Sequence, residues 1–156
     1  MTKLFAAAIF ALAACGCASA PTPAPAGAPA APTPASTPSA SLYDRLGKKP
    51  AITVVVDDFA ANLLRDPAIK DRFAATDAPS FKALLVDQIC EATGGPCKYQ
   101  GRTMRDVHTG MRISEKEWVA LVTDLKGALD KNRVPAREQG ELLGALGAMH
   151  GDVVNR

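Results

Sequence analysis

This 156-residue chain has two histidines, His108 and His150, whose side chains suit transition-metal chemistry. A neutral imidazole nitrogen is a common ligand for such ions. His108 lies four residues after Met104 and three residues before Met111, so a helix through this segment would place all three side chains on one face. By spacing alone, His108 is either a metal ligand or an ordinary histidine packed between helices.

The elements that must position His108 are helices. Apolar residues recur every three or four positions after Pro50, after Pro79, after the capping-box pair Ser114 and Glu117, and after Pro135. The residues predicted to face inward are Ile52, Val55, Val56, Phe59 and Leu63, then Phe81, Leu84, Leu85, Gln88 and Ile89, then Trp118, Leu121, Val122, Leu125 and Leu129, and finally Leu142, Leu143, Leu146, Met149 and Val153. No segment alternates as a strand does, so the predicted fold class is all-α.

Charge and composition exclude several classes of partner. The chain is 47% hydrophobic and 22% charged, with a formal net charge of +2. Its Lys and Arg residues are scattered rather than clustered, so the sequence predicts neither a nucleic-acid groove nor a polybasic membrane patch. The length allows one ordinary globular domain.

Residues 1–14 are predicted to be a signal peptide. Lys3 precedes an apolar run that ends at Leu12, and this run is shorter than the ~20 residues that a transmembrane helix needs. Leu12-Ala13-Ala14-Cys15 resembles the bacterial lipobox, which implies cleavage before Cys15 and lipidation of its thiol. The alternatives are lipidation at Cys17, or secretion without lipid after cleavage at Ala18 or Ala20.

Residues 15–41 are predicted to be a disordered tether. Seven of the 12 prolines lie between Ala18 and Ser41, a stretch with no charged residue and no helical or strand period. The folded domain is therefore expected over residues 42–156. Gly16 follows Cys15 in place of an acidic retention signal, which by resemblance to lipoprotein sorting rules favours the outer membrane. The predicted location is the cell envelope, with the domain facing the periplasm.

A series of motifs runs in order from about Ser41 to Val154. They are Leu42-Tyr43-Asp44-Arg45-Leu46-Gly47, Val56-Asp57-Asp58-Phe59, Arg72-Phe73, Gly94-Gly95-Pro96, Tyr99-x-Gly101-x-x-Met104-x-x-x-His108-x-Gly110-Met111-x-Ile113 and Val134-Pro135. Together they resemble the group 1 truncated haemoglobins, a group of bacterial-like globins. The resemblance implies a two-over-two helical globin fold around a b-type haem.

The resemblance also implies roles for individual residues. His108 matches the proximal ligand, whose Nε2 would bind iron while the other ring nitrogen donates to a carbonyl or water. Tyr99 and Lys82 could reach the haem propionates, although Lys82 equally suits a solvated surface. His150 matches no ligand position and is expected at the surface. The residues expected around the haem are Phe73, Phe81, Lys82, Leu85, Tyr99, Met104, Met111, Ile113, Trp118 and Leu121.

The distal side departs from the family pattern. Group 1 members commonly have a tyrosine directly after the helix-B phenylalanine, and here that position is Ala60. A glutamine that commonly supports the tyrosine is replaced by Leu85. The expected distal pocket is therefore Ala60, Phe81, Leu85 and Gln88, where Gln88 is either a substitute donor or an amide bonded to backbone.

Cys90 and Cys97 flank the Gly94-Gly95-Pro96 turn. Outside the cytoplasm they are expected to form a disulfide, and the alternative is two free buried thiols. A metal site at these cysteines is disfavoured because no histidine lies nearby. The chain lacks the Cys-x-x-Cys-His attachment motif, so the haem is expected to be noncovalent.

These observations favour a haem protein that reversibly binds oxygen, nitric oxide or carbon monoxide at the cell envelope. An enzymatic role is not predicted. Nitric oxide dioxygenation would need an external reductase as electron donor, because the chain has no flavin or nicotinamide motif. The alternative is a haem-free helical envelope lipoprotein that acts as an interaction module.

Overall fold

The computed structural model describes residues 40–156, which form α-helices and one 3₁₀-helix. The predicted signal peptide (1–14), Cys15 and all of the tether before Ala40 lie outside the described residues. Within 40–156, no helix is both long and apolar enough to cross a membrane. The helices are α1 (Leu42–Arg45), α2 (Lys48–Leu63), the 3₁₀-helix (Lys70–Phe73), α3 (Ala78–Ala92), α4 (Met104–His108), α5 (Glu115–Lys131), α6 (Ala136–Gly147) and α7 (His150–Val153).

The core is built around α2, which packs against both α3 and α5. Pro50 lies in its first turn, where a missing backbone N–H costs nothing. All five residues predicted to face inward are buried, which confirms the helical period read from the sequence. They are Ile52, Val55, Val56, Phe59 and Leu63.

Helix α3 has two apolar faces. Asp77 caps its first turn by accepting a hydrogen bond from the Ser80 N–H. Val86, Ile89 and Cys90 are buried in the domain core. The second face carries Phe81, Leu84, Leu85 and Gln88, which are only partly covered, and Leu84 is 38% exposed. The sequence pattern identified the second face but missed Val86 and Cys90, because both faces are apolar and their spacings overlap.

Helix α5 begins at the predicted capping box. The Ser114 hydroxyl accepts from the Glu117 N–H, and the Glu117 carboxylate accepts from the Ser114 N–H. Leu125, Ala128 and Leu129 are buried against the core, and the helix ends at Lys131 with Asn132 as its C-cap.

The last helix is shorter than the pattern predicted. Helix α6 ends at Gly147, and α7 begins at His150. The Met149 N–H bonds to the Leu146 carbonyl three residues back, so the backbone tightens and changes direction there. Met149 and Val153 consequently lie in a different element from Leu142 and Leu146.

The shared face of Met104, His108 and Met111 is also a wrong prediction. Helix α4 ends at His108, because Thr109 is extended (φ −57°, ψ 126°) and Gly110 has a left-handed φ of +84°. Met104 and His108 lie one turn apart on α4, whereas Met111 follows the break.

The C-terminal segment packs against α4 and the chain that follows it. The Arg112 N–H donates to the Arg156 carbonyl and the Asn155 N–H donates to the Ile113 carbonyl, both at 2.9 Å. The Arg105 Nη2 atom lies 2.7 Å from an Asp152 carboxylate oxygen. These contacts join α7 to the element that carries His108.

Candidate functional site

A cavity of about 610 Å³ lies beside the core, and apolar side chains dominate its walls. That volume falls within the range of small-molecule and cofactor sites. Four parts of the chain line most of it: the outer face of α3, the segment before α4, α4 itself, and the facing sides of α5 to α7. The lining residues include Phe59, Phe73, Phe81, Leu84, Leu85, Gln88, Tyr99, Arg102, Met104, Val107, His108, Trp118, Leu121, Leu125, Leu146, Met149 and Val153.

His108 is half-buried in the wall of this cavity. Its Nδ1 atom lies 2.7 Å from the Met104 carbonyl oxygen, one turn earlier on α4. Because a carbonyl can only accept, Nδ1 of the neutral ring carries the proton and donates it. The Nε2 lone pair is then available to a metal ion, and the backbone of α4 holds the ring's tautomer.

A second cavity, of about 210 Å³, also has His108 in its wall. Met111 and Ile113 line this second cavity, while Trp118 and Leu121 line both. The structure therefore gathers the predicted proximal residues around His108, although Met111 reaches it from beyond the end of α4.

On the α3 side of the large cavity, Ser80 lines the wall near the start of the helix, and the apolar side chains Phe81 and Leu85 follow. Phe81 packs against Phe73 with ring centroids 5.5 Å apart and planes tilted by 59°. Leu85 lies one turn farther along on the same face. Gln88 follows, and its Nε2 lies 3.3 Å from the Met149 Sδ, a weak acceptor. The Gln88 amide thus bonds to neither the backbone nor a strong acceptor.

Two predicted residues lie elsewhere. Ala60 is only 8% exposed and borders a separate void of about 20 Å³, between α2 and the aromatic pair Phe73 and Phe81. Lys82 extends toward α2, where its Nζ lies 2.8 Å from an Asp57 carboxylate oxygen. The surface interpretation of Lys82 matches this placement.

Tyr99 shapes the segment that enters α4. Its hydroxyl donates to the Arg102 carbonyl at 3.0 Å, and its ring lies directly over Gly101. A Cβ atom at Gly101 would collide with that ring, so a larger residue there would have to displace the Tyr99 side chain from its bond to Arg102.

A disulfide joins Cys90 to Cys97, with their Cα atoms 5.7 Å apart. It links the last full turn of α3 to the chain just before Tyr99. Gly95 packs inside this loop: a Cβ there would approach the Cys90 Sγ and the Tyr43 ring to 2.6 Å.

An ion pair holds α5 beside the chain that follows His108. The Arg72 Nε lies 2.6 Å from the Glu117 Oε1, and its Nη1 donates to the Met111 carbonyl at 2.9 Å. The hydrogen bond from Arg72, followed by those from Ser114, lowers the pKa of Glu117 to about 2. The carboxylate is therefore ionised at every physiological pH.

His150, which was expected at the surface, is partly exposed: 41% of its side chain is accessible to solvent. Its ring meets the edge of Trp118 at a centroid distance of 5.0 Å, and its Nε2 lies 2.9 Å from a Glu115 carboxylate oxygen. Trp118 separates it from the large cavity.

Arg102, Val107 and Leu146 line the cavity but were not among the predicted site residues. Leu146 could have been found, because it was already predicted to face inward. Arg102 lies in a stretch without regular structure, so no periodicity marks its direction.

The donor set restricts the kind of metal that the site could hold. Among residues 40–156, no group of three or more His, Cys, Asp or Glu side chains lies close enough to hold a metal ion. A metal ion bound at His108 would therefore need its remaining ligands from a group other than these side chains. A metal carried by an apolar prosthetic group fits one imidazole in the wall of a large apolar cavity.

Comparison with protein families gives one match over almost the whole described chain. Residues 41–155 match the family described as bacterial-like globin. The group 1 truncated hemoglobin GlbN of Mycolicibacterium paratuberculosis is 35% identical over 107 residues, which cover 69% of this chain and 79% of that protein. The GlbN protein of a Nostoc species is 29% identical over 75% of this chain and 99% of its own length.

Solved structures have the same fold. The truncated hemoglobin of Tetrahymena pyriformis in its Fe(III) form superposes with a TM-score of 0.72, at 24% identity, over 75% of this chain and all of that one. The 2/2 hemoglobin of a Synechococcus species, solved in the cyanomet state with covalently attached heme, gives 0.70 at 28% identity, over 75% of this chain and all of that one.

Proposed function

The chain belongs to the bacterial-like globin family, and on that basis we propose that it binds haem b noncovalently, with His108 as the proximal iron ligand. Residues 42–156 are proposed to be the globin domain. Bound there, the haem would supply an iron coordination position at which a diatomic gas binds reversibly.

One observation carries this proposal: the hydrogen bond from His108 Nδ1 to the Met104 carbonyl, made in the wall of a 610 Å³ apolar cavity. It selects the tautomer in which Nε2 carries the lone pair that a metal ion would bind. Phe81 and Leu85 on α3, with Trp118 and Leu121 on α5, line the cavity with apolar side chains.

The same walls favour some gases over others. A hydrogen bond to a ligand oxygen that carries partial charge is worth ~1.5–3 kcal/mol. Phe81 and Leu85 offer no donor, and the Gln88 amide is directed to Met149. We therefore expect dioxygen to leave quickly, while carbon monoxide and nitric oxide depend less on a donor.

The test is an absorption spectrum. Purified protein should show a Soret band that shifts on addition of carbon monoxide, and His108→Ala should lose that shift or the band itself. The matched control is His150→Ala, which removes the second of the 2 histidines. This variant should keep both the Soret band and its shift with carbon monoxide. Extraction into acidified organic solvent should remove the haem completely. A colourless protein that takes up no added haem would contradict the proposal and favour the haem-free interaction module.

We also propose that the globin domain works at the cell envelope, facing the periplasm. The support is the signal-peptide pattern of residues 1–14, the lipobox around Cys15 and the proline-rich stretch of 15–41. The disulfide between Cys90 and Cys97 suits an oxidising compartment. Nitric oxide dioxygenation by this domain would require an external electron donor.

A further inference from the structure

One wall of the large cavity is a stretch of chain without regular secondary structure. Tyr99, Gln100, Gly101 and Arg102 line the cavity and precede Thr103, the N-cap of α4. Within the described chain, residues 96–102 make no backbone-to-backbone hydrogen bond. The conformation of this wall must therefore be held by bonds that involve side chains.

Apart from the bond of the Tyr99 hydroxyl to the Arg102 carbonyl, those bonds converge on two consecutive residues of α3, Cys90 and Glu91. Cys90 forms the disulfide with Cys97. The Glu91 carboxylate accepts from the Lys98 Nζ at 3.1 Å and from the Tyr99 backbone N–H at 3.0 Å. We call Cys90 and Glu91, with their bonds to Cys97, Lys98 and Tyr99, the α3 clasp.

The clasp has a rigid base. Cys90 is completely buried, and its carbonyl accepts from the Gly95 N–H at 2.7 Å. The Tyr99 N–H and then Lys98 lower the pKa of Glu91, so its carboxylate is ionised at neutral pH. Because α3 packs on the core helix α2, the clasp connects the cavity wall to the buried core of the domain.

We propose that the α3 clasp positions residues 99–102 against the bound haem, and that the Cys90–Cys97 bond controls how long the haem is retained. This inference rests on the proposed haem binding. When the disulfide is reduced by a dithiol, the S–S bond breaks, two thiols form and the dithiol becomes a disulfide. The wall then regains freedom that haem binding must remove. The free-energy cost of ordering the backbone of roughly one residue corresponds to about a ten-fold change in the rate of haem loss.

The experiment compares the wild-type chain with the double variant Cys90→Ala/Cys97→Ala, each with and without dithiothreitol. Transfer of haem from the ferrous carbon monoxide complex to excess apomyoglobin gives the rate of haem loss. Hydrogen exchange of the amides of residues 98–102, measured on the haem-free protein, reports the order of the wall without using haem. Thiol titration shows how much of the disulfide has been reduced.

We expect the double variant to lose haem about ten-fold faster than the oxidised wild type, with faster exchange at 98–102 and unchanged protection in α5. Reduced wild type should behave like the variant, and the variant should not respond to the reductant. Glu91→Gln keeps the disulfide and should give a smaller increase, which preserves the test if the double variant unfolds.

Equal haem-loss rates in wild type and variant would overturn the inference, as would unchanged exchange at residues 98–102. A wild type that binds no haem would overturn both the proposed function and the retention claim. In that case the exchange measurement would still decide whether the clasp orders the wall, so the two failures are distinguishable.

Discussion

At the scale of single residues, the α3 face of the cavity determines which hydrogen bonds a gas ligand on the proposed haem could accept. Phe81 and Leu85 present only carbon to the cavity, and Gln88 directs its amide to the thioether of Met149. A donor could be restored at Ala60 or at Leu85. Ala60 borders a void of only about 20 Å³, so a tyrosine there would displace Phe73 and Phe81. Leu85 faces open space and is the better position.

Leu85→Gln should therefore slow dioxygen release by about 10- to 150-fold, because one hydrogen bond to a charged oxygen contributes ~1.5–3 kcal/mol. Stopped-flow measurement of dioxygen dissociation checks this, and carbon monoxide dissociation should change much less. Leu85→Met, which keeps volume and polarity, serves as the control. Equal dioxygen rates in the glutamine variant and the wild type would contradict this account of the pocket.

At the scale of elements, the start of α5 holds the chain that follows His108. Glu117 completes the capping box with Ser114 and also binds Arg72, which in turn holds the Met111 carbonyl. One carboxylate thereby joins the 3₁₀-helix, α5 and the segment after α4. A helix as short as α4 needs such contacts, since five residues are too few to be stable as an isolated helix.

Because the pKa of Glu117 is lowered in the folded chain, the stability that this network contributes decreases as the pH falls. Its pKa is about 2 in the folded chain against an ordinary 4.5, so its contribution to stability is complete above pH 4.5 and is lost as the pH falls toward 2. Glu117→Gln should lower the free energy of unfolding by about 1 kcal/mol at pH 7, since the pair and cap are partly exposed.

Urea unfolding of both proteins between pH 7 and pH 2 measures this contribution. The difference between wild type and Glu117→Gln should shrink as the pH falls from 4.5 toward 2, because the Glu117 carboxylate of the unfolded chain takes up a proton in this range while that of the folded chain stays ionised until the pH nears 2. Asp130→Asn is a reference of the same kind far along α5, since Lys126 and Gln139 lower the pKa of its carboxylate, and its difference from wild type should shrink with falling pH as well. A difference independent of pH would show that Glu117 acts without its charge.

At the scale of the whole molecule, the cavity continues the hydrophobic core. Phe73, Phe81, Leu85, Leu121 and Leu146 pack against the buried cluster on one side and line the cavity on the other. These side chains remain half-buried, although residues of their types are usually buried. An apolar prosthetic group would complete their burial. This explains how a domain of modest length can leave so much apolar surface at one site.

The predicted anchor also belongs to this scale. Wild-type chain expressed in a bacterial host should incorporate labelled palmitate and partition into detergent, because acyl chains at Cys15 would give stable membrane attachment. Cys15→Ser should do neither, while the matched variant Cys17→Ser should do both. Labelled lipid on Cys15→Ser, or a wild type that carries none, would contradict lipidation at Cys15.

The sequence by itself determined the helices and most of their ends. Inward positions on α2, the first-turn prolines of α2 and α3 and the Ser114 cap depend on residues within a few positions of one another, so local patterns are sufficient to predict them. The sequence also singled out His108, because its motif is local. It failed at Met111 and Met149, where the backbone breaks at Gly110 and after Gly147 end the helical period.

Only the tertiary structure decided what each side chain meets. Ala60 borders a void behind the Phe73–Phe81 pair, the Gln88 amide meets Met149, Arg72 meets Glu117, and Glu91 holds the backbone before α4. The first three of these contacts join different elements, and the fourth joins α3 to a loop without periodicity. The physical reason is that a hydrophobic period specifies which face of a helix is buried, whereas the partner on that face depends on how the helices pack together.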